Sequence, residues 1–81
     1  MQVNVRLSGE LAAQAGRHRF TMSLADNATL ADLLQLLQRE HPQLWPRMST
    51  AVPIISGQHV SQAAPLADGQ EVAFLLPIAG G

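Results

Sequence analysis

The chain has 81 residues, 47% of them hydrophobic, with five Arg, no Lys, six acidic residues, no Cys and a formal charge of -1. That length supports a single core, the missing Cys excludes disulfides, thiolate metal sites and a Cys nucleophile, and five scattered arginines (Arg6, Arg17, Arg19, Arg39 and Arg47) make no phosphate-binding stripe. The longest apolar run, residues 72–79, is far short of the ~20 residues a bilayer span needs, and the opening residues lack the pattern of a secretory signal, so a small, soluble, cytoplasmic domain is expected.

Residues Gln2–Leu7 alternate, with Val3, Val5 and Leu7 on one side and Asn4 and Arg6 on the other, the period of a half-buried strand. Residues 9–15 are short and alanine-rich and stop at Gly16, which suits a brief helical turn closed by a left-handed residue. A second alternation through Phe20, Met22 and Leu24 places a strand over residues 17–24, close enough to pair antiparallel with the first. Thr29, with Asp32 three residues on, then caps a helix whose Leu30, Leu33, Leu34 and Leu37 form one apolar stripe and which Pro42 ends. Residues 43–50 read as irregular. Val52, Ile54 and Ile55 supply a third strand over residues 51–56, and Ser56-Gly57 turns it into a short strand at residues 58–60. After a loop at residues 61–65, Asp68-Gly69 leads into a last strand over residues 70–77, with Val72, Phe74 and Leu76 on one face and Ala73 and Leu75 on the other.

One helix among five strands covers one face of one mixed sheet. The order predicts an α+β protein of the β-grasp, or ubiquitin-like, arrangement, with the last strand parallel to the first in mid-sheet, where a segment apolar on both faces belongs. We expect a β-grasp domain over residues 1–76 and a flexible tail over residues 77–81.

The sequence builds no active site of its own. His18, His41 and His59 are isolated, so no metal site is expected, and the serines lack a nucleophile signature. Asp26 and Asp32 near the helix start, Asp68 in a turn and Glu71 on an exposed strand position have structural readings. What remains is the ending Leu75-Leu76-Pro77-Ile78-Ala79-Gly80-Gly81. Residues 77–81 span at most about 17 Å when extended, enough to leave a domain of roughly 12 Å radius of gyration and enter another protein's cleft. Without Cβ atoms, Gly80-Gly81 passes a narrow channel and leaves the terminal carboxylate unshielded. That carboxylate is ionised at neutral pH and is a poor acyl donor, so a partner must activate it, which adenylation with ATP would do.

These residues resemble the MoaD/ThiS family of ubiquitin-like sulfur carriers, within it most the small subunits of molybdopterin synthase. The resemblance spans the whole length and rests on Val3-Asn4-Val5-Arg6-Leu7, Ala15-Gly16-Arg17, Ala28-Thr29-Leu30-Ala31-Asp32-Leu33-Leu34, the stretch Pro65-Leu66-Ala67-Asp68-Gly69-Gln70-Glu71-Val72, and Phe74 with Pro77-Ile78-Ala79-Gly80-Gly81. It implies that Gly81 is adenylated by an activating enzyme using ATP, is converted to a thiocarboxylate by a sulfur donor protein, and enters a large catalytic subunit that moves the sulfur onto precursor Z in molybdenum cofactor biosynthesis. On that reading Pro77, Ile78, Ala79, Gly80 and Gly81 enter partner active sites and Phe74, Leu75 and Leu76 meet the partner. The chain is then a sulfur donor with no bound cofactor, not an enzyme by itself. Leu76 stands where the family often has the first of two prolines, and Ser8-Gly9 where it often has an aromatic residue. A carrier for thiamine thiazole, a ubiquitin-like modifier and a non-reactive β-grasp interaction module are the alternatives.

Overall fold

The alternation at the start of the chain becomes β1 (Gln2–Leu7), whose Val3, Val5 and Leu7 are buried while Asn4 and Arg6 are exposed. In the computed structural model, which describes residues 1–77, the elements that follow are α1 (Gly9–Ala15), β2 (Arg19–Ser23), α2 (Leu30–Glu40), β3 (Val52–Ile55), β4 (Gln58–His59) and β5 (Glu71–Leu75). They form a five-stranded mixed sheet in the order β2-β1-β5-β3-β4. β5 runs parallel to β1 and antiparallel to β3, so the most apolar strand takes the centre as expected. This is the β-grasp fold.

Two local expectations change. Residues 9–15 form a seven-residue helix, not a single turn, because Leu11 and Ala12 bury one side of it and Gly16, at φ 79°, ends it in the left-handed region. The stretch read as irregular carries two short 3-10 helices, Pro42–Leu44 and Arg47–Thr50, which bury Leu44 and Met48. The remaining strands are shorter than the alternation suggested. Pairing and not side-chain pattern fixes where a strand ends.

α2 forms as its cap predicts. The Thr29 N–H donates to Asp32 Oδ2 at 2.9 Å, and the Thr29 hydroxyl donates to the same oxygen at 3.2 Å. Two N–H groups of the first turn, which have no partner inside a helix, find carbonyls in the loop before β5: Leu30 donates to Ala64 and Ala31 to Gln62, each at 2.9 Å. Leu30, Leu33 and Leu37 are fully buried against Val3, Val5, Leu7, Val72 and Phe74, and each such side chain contributes about 1.5–3 kcal/mol. Leu34, the fourth member of the predicted stripe, is half-buried at its edge.

The register of β5 is set at its beginning. Asp68 Oδ1 accepts the Gln2 N–H at 2.7 Å, Gly69 donates back to the Gln2 carbonyl at 2.7 Å, and Asn4 donates to the Gln70 carbonyl at 2.8 Å. These bonds stitch the starts of the two parallel strands together. A one-residue slip would turn every β5 side chain to the other face.

The β3–β4 turn departs from its ordinary chemistry. Gly57 has φ 77°, and Ser56 before it also lies at positive φ, 52°. A two-residue turn with both φ values positive favours Asn-Gly, because a side chain other than Asn or Asp at the first position is strained there. Ser56→Asn is expected to stabilise the fold by about 0.5–1 kcal/mol, a rise in melting temperature of about 2–8 °C by calorimetry. An unchanged or lower melting temperature would refute that reading of the turn.

Candidate functional site

The sheet has one face under the helices and one open to solvent, and the alternation of β5 divides its residues between them. Val72 stands beside Val5, and Phe74 beside Leu7 and Pro53, on the helix side. Phe74 is 1% exposed. This corrects its expected place at the partner interface, since a side chain enclosed by the core offers a partner no surface. Both faces of β5 are apolar in sequence, so only the pairing with Leu7 decides which one turns inward.

The open face is built by the alternate residues. Arg19 of β2, Arg6 of β1, Ala73 of β5, Ile54 of β3 and His59 of β4 stand opposite one another in a single row across all five strands. In the next row, toward the end of β5, Leu75 stands opposite Val52. Val52, Ile54 and Leu75 thus surround Ala73, which is itself only 4% exposed. Leu75, at 38%, is the one large exposed hydrophobic side chain among the described residues. Sequence reasoning singled out Leu75 but not Val52 and Ile54. Their signal was available, since the two alternate through β3 and neither is polar.

Leu75 is the last residue of β5. The Ser8 hydroxyl, just before α1, makes a long 3.4 Å contact to the Phe74 carbonyl. Leu76 is half-buried and packs on the rim of the core, and Pro77 is exposed. Glu10 of α1 and Arg47 of the 3-10 helix form a surface ion pair. Ile78, Ala79, Gly80 and Gly81, the residues expected to enter partner active sites and the one expected to be modified, lie outside the described residues. The site is therefore an apolar patch beside the root of the C-terminal segment.

Asp32, Asp68 and Glu71 take the structural places expected of them, whereas Asp26, expected near the helix start, instead pairs with the chain's first residue. Asp26 accepts from the Met1 amine at 3.1 Å, Asp32 caps α2, Asp68 pins β1, and Glu71 lies 3.8 Å from Arg6. On the helix side a groove of about 480 Å³ runs between α2 and β3, lined by Leu34, Gln38, Trp45, Met48 and Pro53 among others and by no charged residue. Ser49, Ser61 and His59 also line it, and the Ser49 hydroxyl donates to the Pro46 carbonyl at 2.6 Å.

The ThiS family profile matches residues 5–81, and so runs through the two glycines at the end. The chain belongs to the ThiS family. Among solved structures it is similar to SAMP1 from Haloferax volcanii, with 25% identity over 100% of both chains and a TM-score of 0.90. It is equally similar in sequence to a chain in the complex of subunits 1 and 2 of molybdopterin-converting factor from Helicobacter pylori 26695, with 26% identity, 100% of both chains covered and a TM-score of 0.75. Urm1 from Trypanosoma brucei shares the fold at 16% identity, covering 99% of this chain and 95% of that one, with a TM-score of 0.72. No curated protein sequence matches the chain. This ThiS-family chain is thus a small ubiquitin-like protein of the sulfur-carrier and modifier group, and no helix among its described residues is long and apolar enough to cross a membrane.

Proposed function

We propose that this ThiS-family protein is a sulfur carrier, the small subunit of a molybdopterin synthase. Its Gly81 carboxylate attacks the α-phosphorus of ATP on an activating enzyme and releases pyrophosphate; a sulfur donor protein then supplies the sulfur that displaces AMP, leaving a thiocarboxylate. Docked on a large catalytic subunit, the thiocarboxylate sulfur attacks precursor Z, and water cleaves the resulting acyl–sulfur bond, leaving the sulfur on the product and returning the Gly81 carboxylate. The protein binds no cofactor and supplies the carried atom; the chemistry belongs to its partners.

The observation that carries this reading is the family match through Gly80-Gly81, joined to a sheet whose central strand ends beside an open apolar patch. The likeness to a chain of the Helicobacter pylori subunit 1 and 2 complex supports the large-subunit partner. Reconstitution tests it. Incubated with its activating enzyme, ATP, a sulfur donor, the large subunit and precursor Z, the chain is expected to support molybdopterin formation. A chain that acquires sulfur yet gives no molybdopterin with any large subunit would contradict the pathway.

The likeness to SAMP1, a small archaeal modifier protein, favours a second reading, attachment of Gly81 to a target lysine through an isopeptide bond. Both readings share the adenylation step. They part at the nucleophile that displaces AMP, sulfur in one and an amine in the other.

A further inference from the structure

The two edges of the sheet are closed off unequally. β4, at one edge, is two residues long, too short to template another strand. β2, at the other, has five residues, no proline and an unbroken register with β1. The Leu7 N–H donates to the His18 carbonyl at 2.8 Å and the Leu24 N–H to the Met1 carbonyl at 2.9 Å, so in this antiparallel pair His18, Phe20, Met22 and Leu24 turn their backbone groups toward β1. Arg19, Thr21 and Ser23 therefore turn theirs outward. All three are exposed, and their N–H and C=O groups meet no partner among the described residues.

Two kinds of side chain flank this edge. On the helix side Phe20 and Leu24 are half-buried at the margin of the core, as is Leu36, on the flank of α2 turned away from the groove beside β3. At the start of the strand Arg17, His18 and Arg19 are all exposed. The Arg17 guanidinium lies 5.8 Å from the centre of the Phe20 ring, which the His41 ring meets at 4.9 Å. β2 has no acidic residue, and although Arg19 shares a shallow pocket with Glu71, neither Arg17 nor Arg19 is in an ion pair among the described residues.

We infer that the free edge of β2 is a docking site for an extended acidic peptide, a segment of a partner protein that adds as a further strand beside Arg19, Thr21 and Ser23. Its residues on the helix side are apolar, to meet Phe20, Leu24 and Leu36, and those beside the start of β2 carry carboxylates, to meet Arg17 and Arg19. Backbone bonds supply the attachment and side chains the selection. Guanidinium groups take carboxylates through paired N–H bonds, which favours an acidic segment over a neutral one. A second copy of β2 would bring its own arginines and no acid, and a nucleic acid would leave the apolar side chains without a counterpart. The site lies two strands from β5, so a segment bound there leaves the Val52–Ile54–Leu75 patch free. The inference holds whether Gly81 carries sulfur or forms an isopeptide.

The test titrates the full chain, labelled with nitrogen-15, with a synthetic peptide of alternating Val and Glu residues. Two control peptides accompany it, one with Lys in place of Glu and one with the same side chains but every amide N-methylated. The Val-Glu peptide is expected to shift the amide signals of Arg19, Thr21 and Ser23 and to slow their exchange with solvent. Its dissociation constant at low salt is expected to rise about 10-fold or more for either control peptide and for the Arg17→Glu protein, with the charge-dependent differences shrinking at high salt. The N-methylated peptide leaves the protein untouched, so its loss of binding reports the backbone bonds and not the fold. Equal binding of the parent and N-methylated peptides, absence of binding at millimolar concentration, or shifts confined to Ala73 and Leu75 would overturn the inference. So would tighter binding of a single-stranded oligonucleotide, or self-association of the chain through β2.

Discussion

One residue appended after Gly81 is expected to abolish thiocarboxylate formation completely while leaving the melting temperature unchanged. The proposed reaction uses the free carboxylate of Gly81, and an extra residue turns it into an amide, which has no anionic oxygen to attack the α-phosphorus of ATP, and moves the terminal carboxylate one residue out of register. Gly81→Val keeps the carboxylate but adds a branched Cβ to a segment that must thread a partner's cleft, so turnover should fall by at least 100-fold, again without loss of fold. Both proteins keep every core residue among the described residues, the last of which is Leu76. Circular dichroism reports the fold, and mass spectrometry of the C-terminal peptide reports the chemistry. Full sulfur loading of the extended chain would remove Gly81 from the mechanism.

The second large effect is on stability, and it separates Phe74 from its neighbour. Phe74→Ala empties a site that is 1% exposed and packed between Leu7, Pro53 and the helices, at a cost of about 3–5 kcal/mol. A chain of this size holds roughly 4–12 kcal/mol in total, so the variant should be largely unfolded or melt at least 12 °C lower. Leu75→Ala, one residue on and facing solvent, should change stability by no more than about 0.5 kcal/mol and weaken partner binding instead. Chemical denaturation of the two variants measures the contrast. Equal losses would mean that the two faces of β5 are assigned wrongly.

That assignment marks the boundary of what local pattern can disclose. The alternation in residues 2–7, the Thr29–Asp32 cap and the doubly apolar last strand together give a helix on a mixed sheet with β5 in the centre. The α1 helix was underestimated because so short a segment buries only Leu11 and Ala12, too few positions to show a helical period. The 3-10 helices around Pro42 and Pro46 have no hydrophobic period to detect. The site divides in the same way. Gly80-Gly81 and Leu75 can be read from the chain end, because their meaning is local. The Arg19–Arg6–Ala73–Ile54–His59 row cannot, since it joins residues far apart in sequence through strand register alone. Register is fixed by contacts such as Asp68 to Gln2, 66 positions apart.

The alternative fates of the Gly81 acyl group lead to different covalent products, and intact-protein mass spectrometry distinguishes them in one experiment. The full-length protein is incubated with its activating enzyme, ATP, a sulfur donor and a lysine-bearing acceptor protein, and the C-terminal peptide is sequenced. The carrier account predicts replacement of one Gly81 carboxylate oxygen by sulfur; a Gly81 isopeptide to an acceptor lysine, with no sulfur at the terminus, would contradict it.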